Sequence, residues 1–139
     1  MVLDTSVMVA ALRSNAGASR VVLEAAFAGK LTPLLSVPLM LEYEAVITRS
    51  EHLAASGLTI AEVNGILDGL AAVSEPVRLA FHWRPMLRDA NDDMVLEVAV
   101  NGGADGLVTF NERDFSMATK EFRIRILSPR EVVRRLEVK

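Results

Sequence analysis

The chain has 139 residues, 51% of them hydrophobic and 24% charged, with a formal net charge of −3 and no cysteine. That balance fits one globular domain able to bury a core, and it argues against disorder, disulfides and thiolate metal centres. No apolar run approaches the ~20 residues of a membrane-spanning helix, and Met1-Val2-Leu3-Asp4 has no basic stretch ahead of an apolar one, so neither a membrane anchor nor a secretory leader is expected and a reducing cytoplasm is the expected setting.

In chain order, Met1–Asp4 is a short apolar run ending in an acid, and Val7–Leu12 reads as helix. Arg13–Ala18 carries Ser, Asn and Gly and reads as a loop. Ser19 is placed to cap a helix running to about Ala28, with Gly29 as its stop. Leu31–Leu35 is the second expected strand, with Pro33 marking an irregular or edge position. Ser36 then caps a helix with Pro38 in its first turn, extending to about Arg49. Ser50–Leu58 reads as a loop or frayed turn. Thr59-Ile60-Ala61-Glu62 has the form of a capping box and opens a helix to about Ala72.

Val73–Leu79 is a short strand broken by Pro76, and His82–Asn91 is a polar loop with Pro85. Asp92-Asp93 open a helix to about Asn101, which Gly102-Gly103 close; acids in a first turn suit the helix dipole. Gly106–Thr109 is a buried strand, Phe110–Lys120 a polar loop or turn, and Arg123–Leu127 the last strand. Ser128-Pro129-Arg130-Glu131 forms a second capping box ahead of the final helix. Alternating strands and helices in a single domain, residues 1–139, with no repeat or linker, predict an α/β fold with a mainly parallel central sheet.

That topology gathers acids. Asp4 falls at the carboxyl end of the first strand, and Asp114 lies just past the strand Gly106–Thr109. Asp92 and Asp93 start a helix fed from the same edge, and Glu42 sits in the early turns of the helix after the second strand. Right-handed crossovers align parallel strands, and ligands bind outside their carboxyl ends. Carboxylates brought together repel, so such a cluster is stable when hard cations fill it. Oxygen ligands without His or Cys favour Mg²⁺ or Mn²⁺, ions that polarise a phosphoryl oxygen and activate water for in-line attack. The expected chemistry is phosphodiester hydrolysis without a covalent enzyme intermediate. The slight net acidity argues mildly against a nucleic-acid partner, but acids in a metal site are neutralised when the metal binds.

Taken singly, each acid has a plainer reading: Asp4 as a cap or turn residue, Asp92 and Asp93 as a solvated helix start, Glu42 as a surface acid, Asp114 as a loop residue. Only their convergence points to a site. His52 and His82 are isolated and read as ordinary surface or structural residues. Tyr43 and Trp83 read as packing residues ahead of base-stacking ones. Among Arg13, Arg20, Arg84, Arg88 and Arg113, a few are placed to hold phosphates, and Arg130, Arg134 and Arg135 form a solvated helix face.

The ordered set of motifs resembles the PIN-domain family. Val2-Leu3-Asp4-Thr5-Ser6-Val7 resembles its opening strand, which ends in Asp-Thr-Asn or Asp-Thr-Ser. Glu42-Tyr43 with Val46-Ile47 resembles the helical Glu motif, and Asp89 to Leu96 the Asp-rich helix start. Ala104 to Phe115 resembles the Val-Thr strand end followed by Asn or Asp and then Asp-Phe, and Ile126 to Glu131 the final strand and capped helix. The likeness runs from residue 1 to about 136 and is nearest to toxin components of prokaryotic toxin–antitoxin pairs, related to VapC-type ribonucleases. It implies a three-layer α/β/α sandwich, Mg²⁺ or Mn²⁺, cleavage of single-stranded RNA, a homodimer and a cognate antitoxin that blocks the site.

Carried over by position, Asp4, Glu42, Asp93 and Asp114 are the acidic quartet. Asp4 and Asp93 hold the metal most directly, and Glu42 and Asp114 hold a second metal or orient water. Thr5 or Ser6, Thr109 and Asn111 give polar support. Asp92 competes with Asp93 as a ligand; the spacing to Val108-Thr109 fits the family better for Asp93. Glu44 competes with Glu42, and the Glu-aromatic order favours Glu42. Asn111 stands where many relatives carry another acid, which removes a charge from any second metal position.

Three rivals differ in kind. A phosphatase working through an aspartyl-phosphate commonly needs a second Asp two residues after the first, where this chain has Ser6. A receiver-like signalling domain needs a Lys at a later strand end, and no plausible strand is followed by one. A catalytically weak PIN-like module binding RNA or protein is the remaining alternative, and it has no use for four mutually repelling acids.

Overall fold

The computed structural model describes residues 1–79 and 90–137, with the side chains of residues 90, 91, 93 and 117–119 outside the description. Strands β1 (Val2–Leu3), β4 (Gly106–Val108) and β5 (Arg125–Leu127) form one parallel ladder in the order β1-β4-β5. Strands β2 (Leu34–Leu35) and β3 (Glu75–Pro76) form a second parallel ladder. The Leu34 N–H donates to the Met1 carbonyl at 2.8 Å and joins the two ladders. Across the molecule the strands therefore run β3-β2-β1-β4-β5, and the direction of winding reverses between β1 and β4. The expected α/β architecture with parallel strands is the one observed.

The helices are α1 (Thr5–Arg13), α2 (Ala18–Phe27), α3 (Val37–Ile47), α4 (Ser50–Ser56), α5 (Ile60–Val73), α6 (Ala90–Asn101), α7 (Ser116–Phe122) and α8 (Pro129–Glu137). Val2, Leu3, Leu107 and Val108 are at most 1% exposed, so the strand runs are the floor of the core. Leu39, Tyr43 and Ile47 from α3, Val63, Leu67 and Leu70 from α5, and Val95, Leu96 and Ala99 from α6 close over it, each apolar set recurring at helical spacing. No helix among the described residues is long and apolar enough to cross a membrane.

The caps read from sequence hold where the side chain can reach. Ser36 Oγ accepts from the Leu39 N–H at 3.1 Å. Thr59 and Glu62 exchange both capping-box bonds at 3.1 Å, and Ser128 and Glu131 exchange theirs at 3.2 Å. The backbone N–H of Ser128, followed by its hydroxyl, also lowers the pKa of the Glu131 carboxyl from its ordinary value.

Several expectations fail for identifiable reasons. Ser19 does not cap α2. The Gly17 N–H turns onto Ser14 Oγ at 3.2 Å, Gly17 itself becomes the cap residue, and Ser19 is drawn one turn position into the helix. Ser50–Leu58 is not a loop: it holds α4, closed by Gly57 in the left-handed region at φ 74°. Phe110–Lys120 holds a 3₁₀ turn (Glu112–Phe115) and most of α7, pinned by the fully buried Phe115. The second and last strands are shorter in the ladder than read, because Pro33 has no N–H to give and Arg123 turns left-handed at φ 56°, and the third is shorter because α5 runs on through Val73. Helix α6 starts at Ala90, ahead of Asp92. The expected loop His82–Asn91, with Trp83, Arg84, Arg88 and Asp89, lies outside the described residues apart from the start of α6.

Gly102 shows why α6 must end on a glycine. A Cβ there meets Val77 Cγ2 at 2.8 Å, Leu34 Cδ1 at 2.9 Å and the Val98 carbonyl at 2.9 Å. Gly102→Ala should therefore destabilise the fold by about 1–3 kcal/mol through overpacking. Urea unfolding would read it as a lower midpoint at unchanged slope; an unchanged midpoint would refute the close approach of α6 to β2.

Candidate active site

Reversal of strand order between β1 and β4 leaves a crevice outside their carboxyl ends, where α/β proteins bind ligands. The first residues past those ends are Asp4 and Thr109. The Asp4 N–H donates to the Val108 carbonyl at 2.9 Å, and its carbonyl accepts from Val7 N–H at 2.9 Å. The Asp4 backbone is thus fixed by β4 on one side and by the start of α1 on the other. Asp4 holds the cap position of α1, yet its side chain makes no cap hydrogen bond. Its Oδ2 instead accepts from Ser6 Oγ at 2.8 Å and from Thr109 Oγ1 at 2.7 Å. Position alone suggests a capping Asp; the geometry removes that explanation.

Thr109 is fully buried. Its N–H donates to the Leu127 carbonyl at 2.9 Å, which continues the β4–β5 pairing by one residue. Its hydroxyl accepts from the Asn111 N–H at 2.9 Å while donating to Asp4. A relay of donors therefore runs from Asn111 through Thr109 to Asp4. Below it, the Tyr43 hydroxyl donates to the carbonyl of Leu3, the last residue of β1. Burial, and then the negative charge of Asp4, push the Tyr43 phenol above its ordinary pKa, which keeps it a protonated donor. Tyr43 is 1% exposed, so it packs and positions β1 and has no face free for a base.

Asp4 is 4% exposed, and among the described residues no Arg, Lys or His pairs with it. The Thr5 hydroxyl beside it is buried without a partner, whereas Ser6 makes the contact to Asp4. Glu42 is half-buried on α3, adjacent to Tyr43. Asp114 is exposed in the 3₁₀ turn after β4, its N–H bonded to the Asn111 carbonyl at 3.1 Å. Asn111 is exposed and reaches the network through its backbone. Asp92 is half-buried and partnered, on the first turn of α6; Asp93 follows it there, its side chain outside the described set. The structure thus joins Asp4, Ser6, Thr109 and the Asn111 backbone directly.

Among the described residues, no three His, Cys, Asp or Glu side chains gather closely enough to hold a metal. The donor chemistry present still fits a hard divalent cation: a nearly buried carboxylate without a cationic partner among the described residues, an orphaned hydroxyl and oxygen donors. One acid escapes sequence reasoning. Glu97 on α6 is fully buried and partnered. Its signal is a charge inside the apolar run Met94 to Val100, one helical turn after Asp93.

No curated protein and no solved structure matches the chain. The PIN domain family model matches residues 1–113, a span that takes in Asp4, Glu42, Asp92, Asp93, Thr109 and Asn111 and stops one residue short of Asp114. With most of its length matched, and with the strand-end Asp4 held as described, the chain belongs to the PIN domain family.

Proposed function

We propose that this protein is an endoribonuclease that hydrolyses phosphodiester bonds of single-stranded RNA with Mg²⁺ or Mn²⁺. PIN domains are generally nucleases and generally use divalent metal ions. The observation that carries the reading is Asp4, a nearly buried carboxylate at the β1–β4 crevice that does not cap its helix and, among the described residues, meets no cationic side chain. A bare buried charge is costly, and a bound cation offsets that cost.

Asp4, Asp93, Asp92 and Asp114 are the residues that would hold the cation. Bound there, it supplies charge stabilisation to a phosphoryl oxygen and acidifies a water. Ser6 and Thr109 keep the Asp4 carboxylate in one orientation. Glu42 or Asp114 accepts the proton as water adds to phosphorus and the ester oxygen departs. The motif resemblance supports a finer reading: the toxin of a toxin–antitoxin pair, a cytoplasmic homodimer whose site a cognate antitoxin blocks.

Purified protein incubated with end-labelled single-stranded RNA should cut it with Mn²⁺ or Mg²⁺ and stop in EDTA. Cutting that survives EDTA would remove the metal from the proposal. A folded protein that leaves RNA intact under either ion would favour a PIN-like module that binds without cutting.

A further inference from the structure

A cavity of about 510 Å³ opens at Phe110 and Ser128, just past the carboxyl ends of β4 and β5. Phe110, the residue after Thr109, Ser128, the residue after β5, and Arg130 line it. Gly17, Ala18 and Ser19, the cap and first turn of α2, line it as well, with Ser14. Helices α2 and α8 both begin here, and two helix starts present partial positive charge to one space. Ser128 and Glu131 already satisfy the start of α8. The start of α2 is different: its cap residue is a glycine with no side-chain acceptor, and its first turn carries no acid.

Ser19 supplies an independent sign. It is 4% exposed, it lines the cavity, and its hydroxyl has no hydrogen-bond partner. A buried hydroxyl without a partner costs free energy that an acceptor in the cavity recovers. Among the described residues, Arg130 is the only charged side chain lining the space, and no acid does. Free amides, an orphaned hydroxyl and a guanidinium, with no competing carboxylate, suit an anion with several acceptor oxygens. Phe110 is 53% exposed at the rim, an aromatic face of the kind on which single-stranded bases stack.

We propose that this cavity holds a backbone phosphate of the single-stranded RNA, next to the one cleaved at Asp4, with Phe110 stacking on the adjoining base. The inference rests on the ribonuclease reading and extends it. The first-turn amides of α2, the Ser19 hydroxyl and Arg130 hold the phosphate, and the continuity Thr109–Phe110 sets its place beside the cutting site.

Two variants test it, with labelled single-stranded RNA as the probe, in EDTA for binding and in Mn²⁺ for cutting. Arg130→Gln removes the guanidinium. Gly17→Asp caps α2 with the residue type helices prefer and puts a negative charge where the phosphate belongs. Gly17 has φ −78°, which any residue adopts, and a Cβ there meets only Ser14, its Oγ at 3.2 Å, so the fold should tolerate the change. Both variants should bind RNA several-fold more weakly and raise KM. In Arg130→Gln, with one phosphate no longer neutralised, the slope of log affinity against log salt should shallow by about 0.7. The melting temperature of Gly17→Asp should not fall, which separates weaker binding from a damaged fold. Wild-type affinity and salt slope in both variants, with cutting by the wild type intact, overturn the phosphate site and leave the nuclease standing. A wild type that neither binds nor cuts RNA overturns both.

Discussion

Asp4→Asn should abolish RNA cutting, lowering the rate by at least about 10²-fold, because a metal site loses a nearly buried carboxylate and metal charge stabilisation is worth several kcal/mol at about 1.4 kcal/mol per tenfold. The substitution is nearly isosteric, and its amide oxygen still accepts from Ser6 and Thr109, so the fold should survive. It should even gain. Asp4 is 4% exposed without a cationic partner among the described residues, and neutralising it relieves a desolvated charge. Without metal, then, the variant should melt at or above the wild-type temperature. With Mn²⁺ the order should reverse: a ligand at ~100 times its Kd stabilises the native state by about 2.7 kcal/mol, and only the wild type should show the rise. Abolished activity with the Mn²⁺ rise intact would move the metal elsewhere. Unchanged activity would remove Asp4 from the chemistry.

The crossing of those two melting curves depends on features of unequal legibility. The placement of Asp4 at a strand end can be read from Val2-Leu3-Asp4 because a short apolar run feeding an acid is a local pattern. Its freedom from capping duty cannot. That depends on Thr109, which lies 105 residues away in sequence and arrives through the β1–β4 pairing. Capping boxes at Thr59 and Ser128 are legible for the same local reason. Ser19 misleads because Ser14 and Gly17 compete for the same turn, and backbone geometry decides between them. Helices α4 and α7 are hidden in the sequence since neither offers a regular apolar stripe; Leu53 anchors α4 to the core, and Phe115 at the cap of α7 and Phe122 at its end anchor α7. Glu97 is easily passed over because a charge in an apolar helix reads as exposed, and only the packing of α6 onto β1 and β2 shows it buried.

Thr109→Val is the second large effect expected, and it separates positioning from ligation. Valine keeps the shape of threonine and its preference for extended backbone. It removes the hydroxyl that donates to Asp4 Oδ2 at 2.7 Å and accepts from Asn111 N–H at 2.9 Å. Asp4 is then held by Ser6 alone, and the Asn111 amide loses its acceptor. Groups that orient a ligand typically matter by about 10–100-fold in metal affinity or activity, so half-saturation by Mn²⁺ should need that much more metal. Stability should fall as well, by about 1–3 kcal/mol, since a buried bond is broken with one partner left in place. The stability loss alone could come from any structural hydroxyl. Thr109→Ser decides the point: it restores the oxygen without the methyl group, so Mn²⁺ affinity should return close to wild type even though some packing is given up. If Ser and Val weaken Mn²⁺ binding equally, the methyl and not the hydroxyl supports the site, and the relay from Asn111 through Thr109 to Asp4 has no part in holding the metal.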